Sequence, residues 1–332
     1  MANIKDVARE AGVSVATVSR VFSGAAPVSE ATAERVRAVA ARLDYVPDAA
    51  ARSLITGRTH ALGVVLPELH GEFFTEVIRG LDRAARQHGL HLLVSGSNAD
   101  AAAFEAALRS MRGRIDGLVL MTPDRVMSTA AERFRHGVPV VLLNPATPAG
   151  HCDAITFDNE GGGYLMTRHL LALGHTRVAT ITGPLGNVDA IERLAGYRRA
   201  MHEAGVADPA LELTGDFTEV GGHAAALRLL ALMPRPTAVF VGNDPMAVSV
   251  LAAFREHDVA VPGEIAVGGF DDTTISRYLT PALTTVRVDL DALGRLAVER
   301  LAARGRGDTG QGVVEQLPVT LIIRESCGSV KR

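Results

Sequence analysis

A chain of 332 residues, 47% of them hydrophobic and with a net charge of −3, has material for two to three packed domains but too little positive charge for wholesale nucleic-acid binding. No apolar run approaches the roughly 18 residues of a membrane span. The opening MANIKDVAREAG carries acids where a secretory signal needs an apolar stretch, and Cys152 and Cys327 lack metal-ligand spacing; a cytoplasmic protein with free thiols and no bound metal is expected.

The charge is uneven. Residues 1–60 carry a net +2 and the remainder −5, so a polyanion would meet the N-terminal segment. There, Asn3 can cap a helix whose third position is Asp6, and Ile4 to Ala11 places Val7, Ala8 and Ala11 on one face. Gly12 suits a left-handed helix end. Ser14 can cap a second helix, Val15 to Phe22, despite its β-branched content, because Val18, Val21 and Phe22 share an inward face and burial overrides weak propensity. A third helix starts at the cap Ser29, with Val28 able to staple onto Ala33 and Ala33, Val36, Ala40 and Leu43 as its apolar stripe. Tyr45 and Val46 close the core, and Pro47 ends the run.

Two short helices joined by a glycine turn, plus a third, make a helix-turn-helix unit. The second helix turns Val15, Ala16, Thr17, Ser19 and Arg20 outward. Small side chains with one arginine suit a helix lying close in a major groove, with Val15 and Ala16 at thymine methyls and Arg20 at a guanine edge. Thr17, Ser19 and the amides near Ser14 suit phosphates. The pattern alone also fits a three-helix packing module without a DNA role.

Asp48 to Gly57, DAAARSLITG, reads as a helix of about two turns, which is marginal in water and needs a support to fold; a plain linker is the other reading.

From Ala61 the rhythm changes. Apolar strands are expected at 61–67, 90–97, 115–122, 139–144, 154–158, 177–183, 211–217, 237–244, 265–272 and 284–289. Helical stretches lie between them, among them Phe73–His88, Glu160–Leu173, Ile191–Ala204 and Val220–Leu232. Such alternation predicts parallel sheets covered on both faces, here as two subdomains, with a ligand beyond the strand C-termini. The residues at those ends are Glu68, Phe73, Phe74, Asn144, Phe217, Asn243, Asp244, Asp271 and Asp272. Carboxylates and amides can bond adjacent hydroxyls while aromatic faces cover CH groups, a set that suits a small polyol or sugar. Each alone is also ordinary turn or cap chemistry.

IKDVAREAGVSVATVSRVFSG and PVSEATAERVRAVAARLDYVPDAAARSL, followed in order by GHTRVATITGP, RLAGYRRAM, VFVGNDPMAV, GGFDD and TPALTTVRVDLDALG, closely resemble the lactose and galactose repressor (LacI/GalR) family of bacterial transcription regulators over essentially the whole chain. The resemblance implies a helix-turn-helix head over 1–47, a hinge helix over 48–60, and an α/β two-lobed body, like the periplasmic sugar-binding proteins, over 61–328. It divides the body into one subdomain of about 61–158 with 289–317 and a second of about 159–288 with 318–328. It implies DNA contacts at Ser14, Val15, Ala16, Thr17, Ser19, Arg20, Ala51 and Leu54, with Leu54 wedged into a central CG step; unstacking there costs a few kcal/mol, offset by the contacts a bent site allows. It implies effector contacts at Phe73, Phe74, Asn144, Arg193, Phe217, Asn243 and Asp271, with Arg193 as a bidentate clamp.

The chain departs from its relatives at PELHGEFF, where Glu68 and His70 stand in place of the usual run and can tune the ligand, and its tail lacks the leucine heptads of a tetramerising helix. No P-loop, zinc triad, nucleophile elbow or dinucleotide glycine pattern appears, so neither an enzyme nor a bound cofactor is expected. The reading is a homodimeric repressor of carbohydrate genes, bound to a pseudo-palindromic operator and released by a sugar-type effector. A corepressor-dependent regulator responding to a nucleobase or other metabolite, and a sugar sensor without gene control, are the alternatives. Leu54→Ala should weaken operator binding more than tenfold in a fluorescence-anisotropy titration; an unchanged affinity would remove the wedge.

Overall fold

The computed structural model describes residues 2–23, 27–46, 57–98, 100–124, 137–147, 150–305 and 310–328. Two compact units form, Met1–Ala61 with Gly113–Asp116, and Leu62–Arg112 with Gly117–Arg332.

The first unit holds α1 (Ile4–Ala11), α2 (Val15–Ser23) and α3 (Glu30–Arg42). Asn3 and Asp6 close a reciprocal capping box at α1: the Asn3 side chain accepts the Lys5 and Asp6 amides, and the Asp6 carboxylate accepts the Asn3 amide. Gly12 ends α1 in the left-handed region at φ 64°, letting the Val13 amide return to the Ala8 carbonyl. Val7, Val18 and Val36, one from each helix, are fully buried and pack with Ala8, Ala11, Val39 and Ala40. Phe22 and Tyr45 meet edge to face at 6.0 Å and cover the core's end. Ser29 stands at the start of α3, but its hydroxyl bonds Thr32 Oγ1 at 2.9 Å and no backbone amide, so it is a cap by position only. Further along this unit, the Asp116 carboxylate accepts the Thr59 amide, the Thr59 hydroxyl and the His60 amide at 2.7–2.8 Å, fixing the chain just before β1 begins at Ala61. The hinge expectations at Ala51 and Leu54 lie outside the described residues.

The second unit is built on two six-stranded sheets. The first holds β1 (Ala61–Leu66), β2 (His91–Gly96), β3 (Gly117–Met121), β4 (Val140–Leu143), β5 (Asp153–Phe157) and β11 (Val314–Leu317), in the order β11-β5-β4-β3-β1-β2. The second holds β6 (Val178–Thr182), β7 (Glu212–Thr214), β8 (Ala238–Val241), β9 (Ala266–Asp271), β10 (Thr284–Val288) and β12 (Val319–Ile322), in the order β12-β10-β9-β8-β6-β7. All ten expected strands form, nine of them somewhat shortened and β5 shifted by one residue. The two unexpected ones, β11 and β12, are four-residue edge strands with partly exposed faces, separated by Pro318 alone; they lack the buried run that marks a central strand. The pairing of β10 with β12 is antiparallel.

Helices α4 (Glu72–Gln87), α5 (Ala101–Met111) and α10 (Leu290–Gly305) pack beside the first sheet, and α6 (Asn159–Ala172), α7 (Val188–Glu203), α8 (Glu219–Leu230) and α9 (Asp244–Glu256) beside the second. The two-residue strand period explains why helices are needed on both faces. Val178, Ala238, Phe240 and Ala266 belong to one buried cluster, while their neighbours Ala179, Val239, Val241 and Val267 belong to another on the opposite face. The chain crosses between sheets three times, from β5 into α6, from β10 into α10, and from β11 into β12. Among the described residues no helix is long and apolar enough to cross a membrane.

Helices α6 and α7 approach closely because glycines line the contact. A Cβ on Gly196 would overlap the Glu160 carbonyl, and one on Gly163 would overlap the Arg193 carbonyl. Gly196→Ala should therefore destabilise the protein by about 1–3 kcal/mol in urea unfolding, the usual cost of overpacking a tight contact; an unchanged midpoint would show that the helices can part.

Candidate functional site

On the head, α2 presents the expected face. Val15 is 40% exposed, Ala16 and Arg20 are exposed, and Thr17 and Ser19 are half-buried around the fully buried Val18. Ser14 caps the helix by accepting the Thr17 amide at 3.1 Å, and its hydroxyl also bonds Thr17 Oγ1 at 2.9 Å, so the two hydroxyls are held together at the α2 N-terminus. The local amide dipoles there favour a phosphate.

In the body, the strand C-termini bring four expected residues into one cluster. Arg193, on α7, is almost wholly buried. Its Nε donates to Asn159 Oδ1 at 2.9 Å and its Nη1 to the Gly242 carbonyl at 2.6 Å. The guanidinium lies 3.7 Å from the Phe270 ring centroid and 5.6 Å from that of Phe217. Asp271 Oδ1 stands 3.5 Å from Arg193 Nη1, too far for a good hydrogen bond, and it is buried without a hydrogen-bond partner. Nε and one N–H of Nη1 are engaged, so a bidentate grip is left only to the terminal Nη1–Nη2 edge, where Nη2 has no partner among the described residues.

Asn243 caps α9, its Oδ1 accepting the Met246 amide at 3.1 Å while its Nδ2 donates to the Phe217 carbonyl at 3.0 Å. That bond helps to hold Phe217 at φ 68°, with its ring laid against the backbone of Gly183. Asn144, at the end of β4 in the other sheet, has φ 42°; its Oδ1 accepts the Phe157 amide at 3.2 Å, and its buried Nδ2 has only a long contact to the Asp189 carboxylate, outside good hydrogen-bond geometry. Asn144 still lies near enough to Asp189, at the start of α7, to favour that carboxylate's ionised form. The two sheets also meet where the Val188 amide donates to the Pro123 carbonyl at 2.8 Å and the Ile275 amide to Glu72 Oε2 at 3.3 Å. Phe73 and Phe74 follow Glu72, half-buried and edge to face at 5.3 Å.

Asn144, Phe217 and Asp271, at φ 42°, 68° and 111°, thus place three site side chains on left-handed backbone. Such conformations cost of order 1–3 kcal/mol each and collect where function demands them. Asp244 and Asp272 serve structure instead. Asp244 accepts Thr273, Ser276 and Thr285, and Asp272 is clamped between Arg287 and Arg324. Glu68 and His70 pair with each other at 3.3 Å, with His70 projecting into solvent.

Three residues that sequence reasoning did not select, buried Asn159 and Asp189 and half-buried Glu192, join the cluster. Asn159, Asp189 and Glu192 surround the Arg193 side chain, with Asn159 Nδ2 donating to Asp189 Oδ1 at 2.9 Å and Glu192 Oε2 at 3.3 Å. The spacing of Asp189 and Arg193, four apart on one helix, was the available signal. Burial raises the pKa of Asp189 and Glu192, and that of Asp271 well above the ordinary carboxylate range, outweighing the attraction of Arg193.

A three-helix head with a small-residue exposed face, in one chain with a two-sheet body holding a buried polar cluster at its strand ends, has the architecture of a DNA-binding regulator. Residues 3–48 match the model of the bacterial regulatory proteins of the lacI family, and residues 167–327 match a periplasmic binding protein-like domain. The chain is 40% identical to the ribose operon repressor of Escherichia coli (strain K12), over 98% of this chain and 99% of that one. It is 36% identical to the HTH-type transcriptional repressor PurR of Klebsiella pneumoniae (strain 342), over 92% and 90%. The crystal structure of the lac repressor dimer bound to operator and the anti-inducer ONPF superposes with a TM-score of 0.87 at 32% identity, covering 98% of this chain and 99% of that one. The chain belongs to the lacI family of bacterial regulatory proteins, and is a DNA-binding transcriptional regulator rather than an enzyme.

Asp244 supplies a pH test of the region. Burial pushes its pKa to about 6 from 3.8. A folded-state pKa above the unfolded one means that the group's stabilising contribution is present at low pH and lost as pH rises through 6. The stability of the wild type relative to Asp244→Asn should fall by about 2 kcal/mol between pH 4 and pH 7. A constant difference, measured by urea unfolding at each pH, would contradict the shift.

Proposed function

We propose that the body senses a neutral polyol of sugar type, with D-ribose as the first candidate, and that the protein represses carbohydrate catabolic or transport genes from the cytoplasm. One observation carries this reading. Buried Asp271 Oδ1 has no hydrogen-bond partner, buried Asn144 Nδ2 has only a long contact to Asp189, and the free edge of Arg193 belongs to the same cluster. A buried donor and a buried acceptor left unmade cost about 1–3 kcal/mol each, and hydroxyls that donate and accept would relieve both. Asp189 and Glu192 already stand beside the same guanidinium, so a ligand carboxylate or phosphate would compete with them for it. The resemblance to ribose operon repressors supports a pentose.

In this reading 1–47 is the head, 48–60 the hinge, and the two sheets are the lobes, 61–158 with 289–317 and 159–288 with 318–328. Phe73, Phe74, Asn144, Arg193, Phe217, Asn243 and Asp271 form the effector site, with Asn243 acting by holding Phe217. Ser14, Val15, Ala16, Thr17, Ser19, Arg20, Ala51 and Leu54 meet the operator. Two copies pair, so that two heads read the halves of a pseudo-palindrome with a central CG. Effector bound between the lobes changes their closure and the state of the hinge; a coupling of about 1–3 kcal/mol gives a 5–150-fold change in DNA affinity. The second reading is a corepressor-dependent regulator responding to a nucleobase or other metabolite, which the resemblance to HTH-type transcriptional repressors PurR leaves open.

Operator sites selected from a random pool, then titrated with protein in the presence of D-ribose, other sugars or hypoxanthine, test both readings. D-ribose should weaken wild-type binding at least fivefold and leave Arg193→Ala unresponsive. Tightening by hypoxanthine with no effect of any sugar would replace the first reading by the second.

A further inference from the structure

The Arg193 side chain is held at three points. The Gly242 carbonyl takes Nη1, the Phe270 ring covers one face of the guanidinium, and Asn159 Oδ1 takes Nε. The first two come from the second sheet. Asn159 is different: it is the first residue of α6, one position beyond Asp158, where the chain passes from the first sheet to the second. The Asp158 amide donates to the Leu317 carbonyl at 3.1 Å, at the last residue before another crossing, so this end of α6 is tied to the line about which the lobes would move.

The Asn159 amide is buried and engaged at both ends. Its oxygen takes Arg193 Nε, and its nitrogen bonds Asp189 and Glu192. An amide suits this place because it accepts from the cation and donates to the carboxylates at once; an acid here would add a further buried negative charge, and an alkyl chain would strand Nε. The tight α6–α7 contact at Gly163 fixes the Arg193 backbone, while Asn159 fixes the side chain's rotation.

We infer that Asn159 is a positioning residue for the effector clamp: it occupies Nε of Arg193 and thereby presents Nη2 to a ligand hydroxyl, referencing the clamp to the crossing between lobes. This rests on the effector reading above. Asn159 acts through the guanidinium, so its effect must vanish when no Nε–H is present. Arg193→Lys keeps the charge and removes that group.

The test is isothermal titration of wild type, Asn159→Ala, Arg193→Lys and the double variant with D-ribose. Asn159→Ala should weaken binding at least tenfold in the wild-type background and less than twofold in the Arg193→Lys background. Equal losses in both backgrounds, or no loss in the first, would overturn the proposal. A second measurement uses ligand-free protein: the Arg193 Nε–H resonance, identified by its absence from Arg193→Lys, should exchange slowly with water in wild type and at least tenfold faster in Asn159→Ala. Equal exchange rates in folded proteins would overturn it without any ligand. If D-ribose fails to bind wild type, the pentose reading fails, and the exchange measurement alone decides the role of Asn159.

Discussion

A buried guanidinium must keep its hydrogen bonds or lose several kcal/mol to desolvation, and Arg193 organises the cleft around that requirement. Its partners are spread through the chain: Asn159 at the start of α6, Gly242 after β8, and Asp271 at the end of β9. Each sits where an element starts or stops, because only there can a side chain or a free carbonyl turn into the cleft. The three acids nearby exceed the single positive charge. Burial raises their pKa values.

The strain at Asn144, Phe217 and Asp271 belongs to the same design. A bulky residue at φ 68° persists only if its surroundings over-determine it, and Phe217 is pinned by the Asn243 amide on one side and the Gly183 backbone on the other. Asn243 is thus engaged in placing Phe217. Asp244 next to it has a similar duty, gathering the loops after β9 and the start of β10 through its hydroxyl donors.

The head obeys simpler rules. Its core is small, with one fully buried valine from each helix, and its outward face follows from that choice by helical periodicity. Short side chains at Val15, Ala16, Thr17 and Ser19 let the α2 backbone approach a groove wall closely, and Arg20 extends beyond them.

The sequence by itself determined the head's three helices, the alternation that builds two parallel sheets, and the strand-end positions of Asn144, Phe217 and Asp271. These follow from apolar periodicity, caps and turn residues, which are local. It did not reveal β11 and β12, whose short, partly exposed runs pair only because other strands offer them an edge. Nor did it reveal that Asn243 and Asp244 are engaged with the protein, that Arg193 is bonded to Asn159 and Gly242, or that Asp189 and Glu192 join the same cluster through Asn159. Those outcomes depend on which lone pairs and N–H groups meet after helices from distant segments pack. Asn159 and Arg193 are 34 residues apart, and only the close α6–α7 contact decides that they touch.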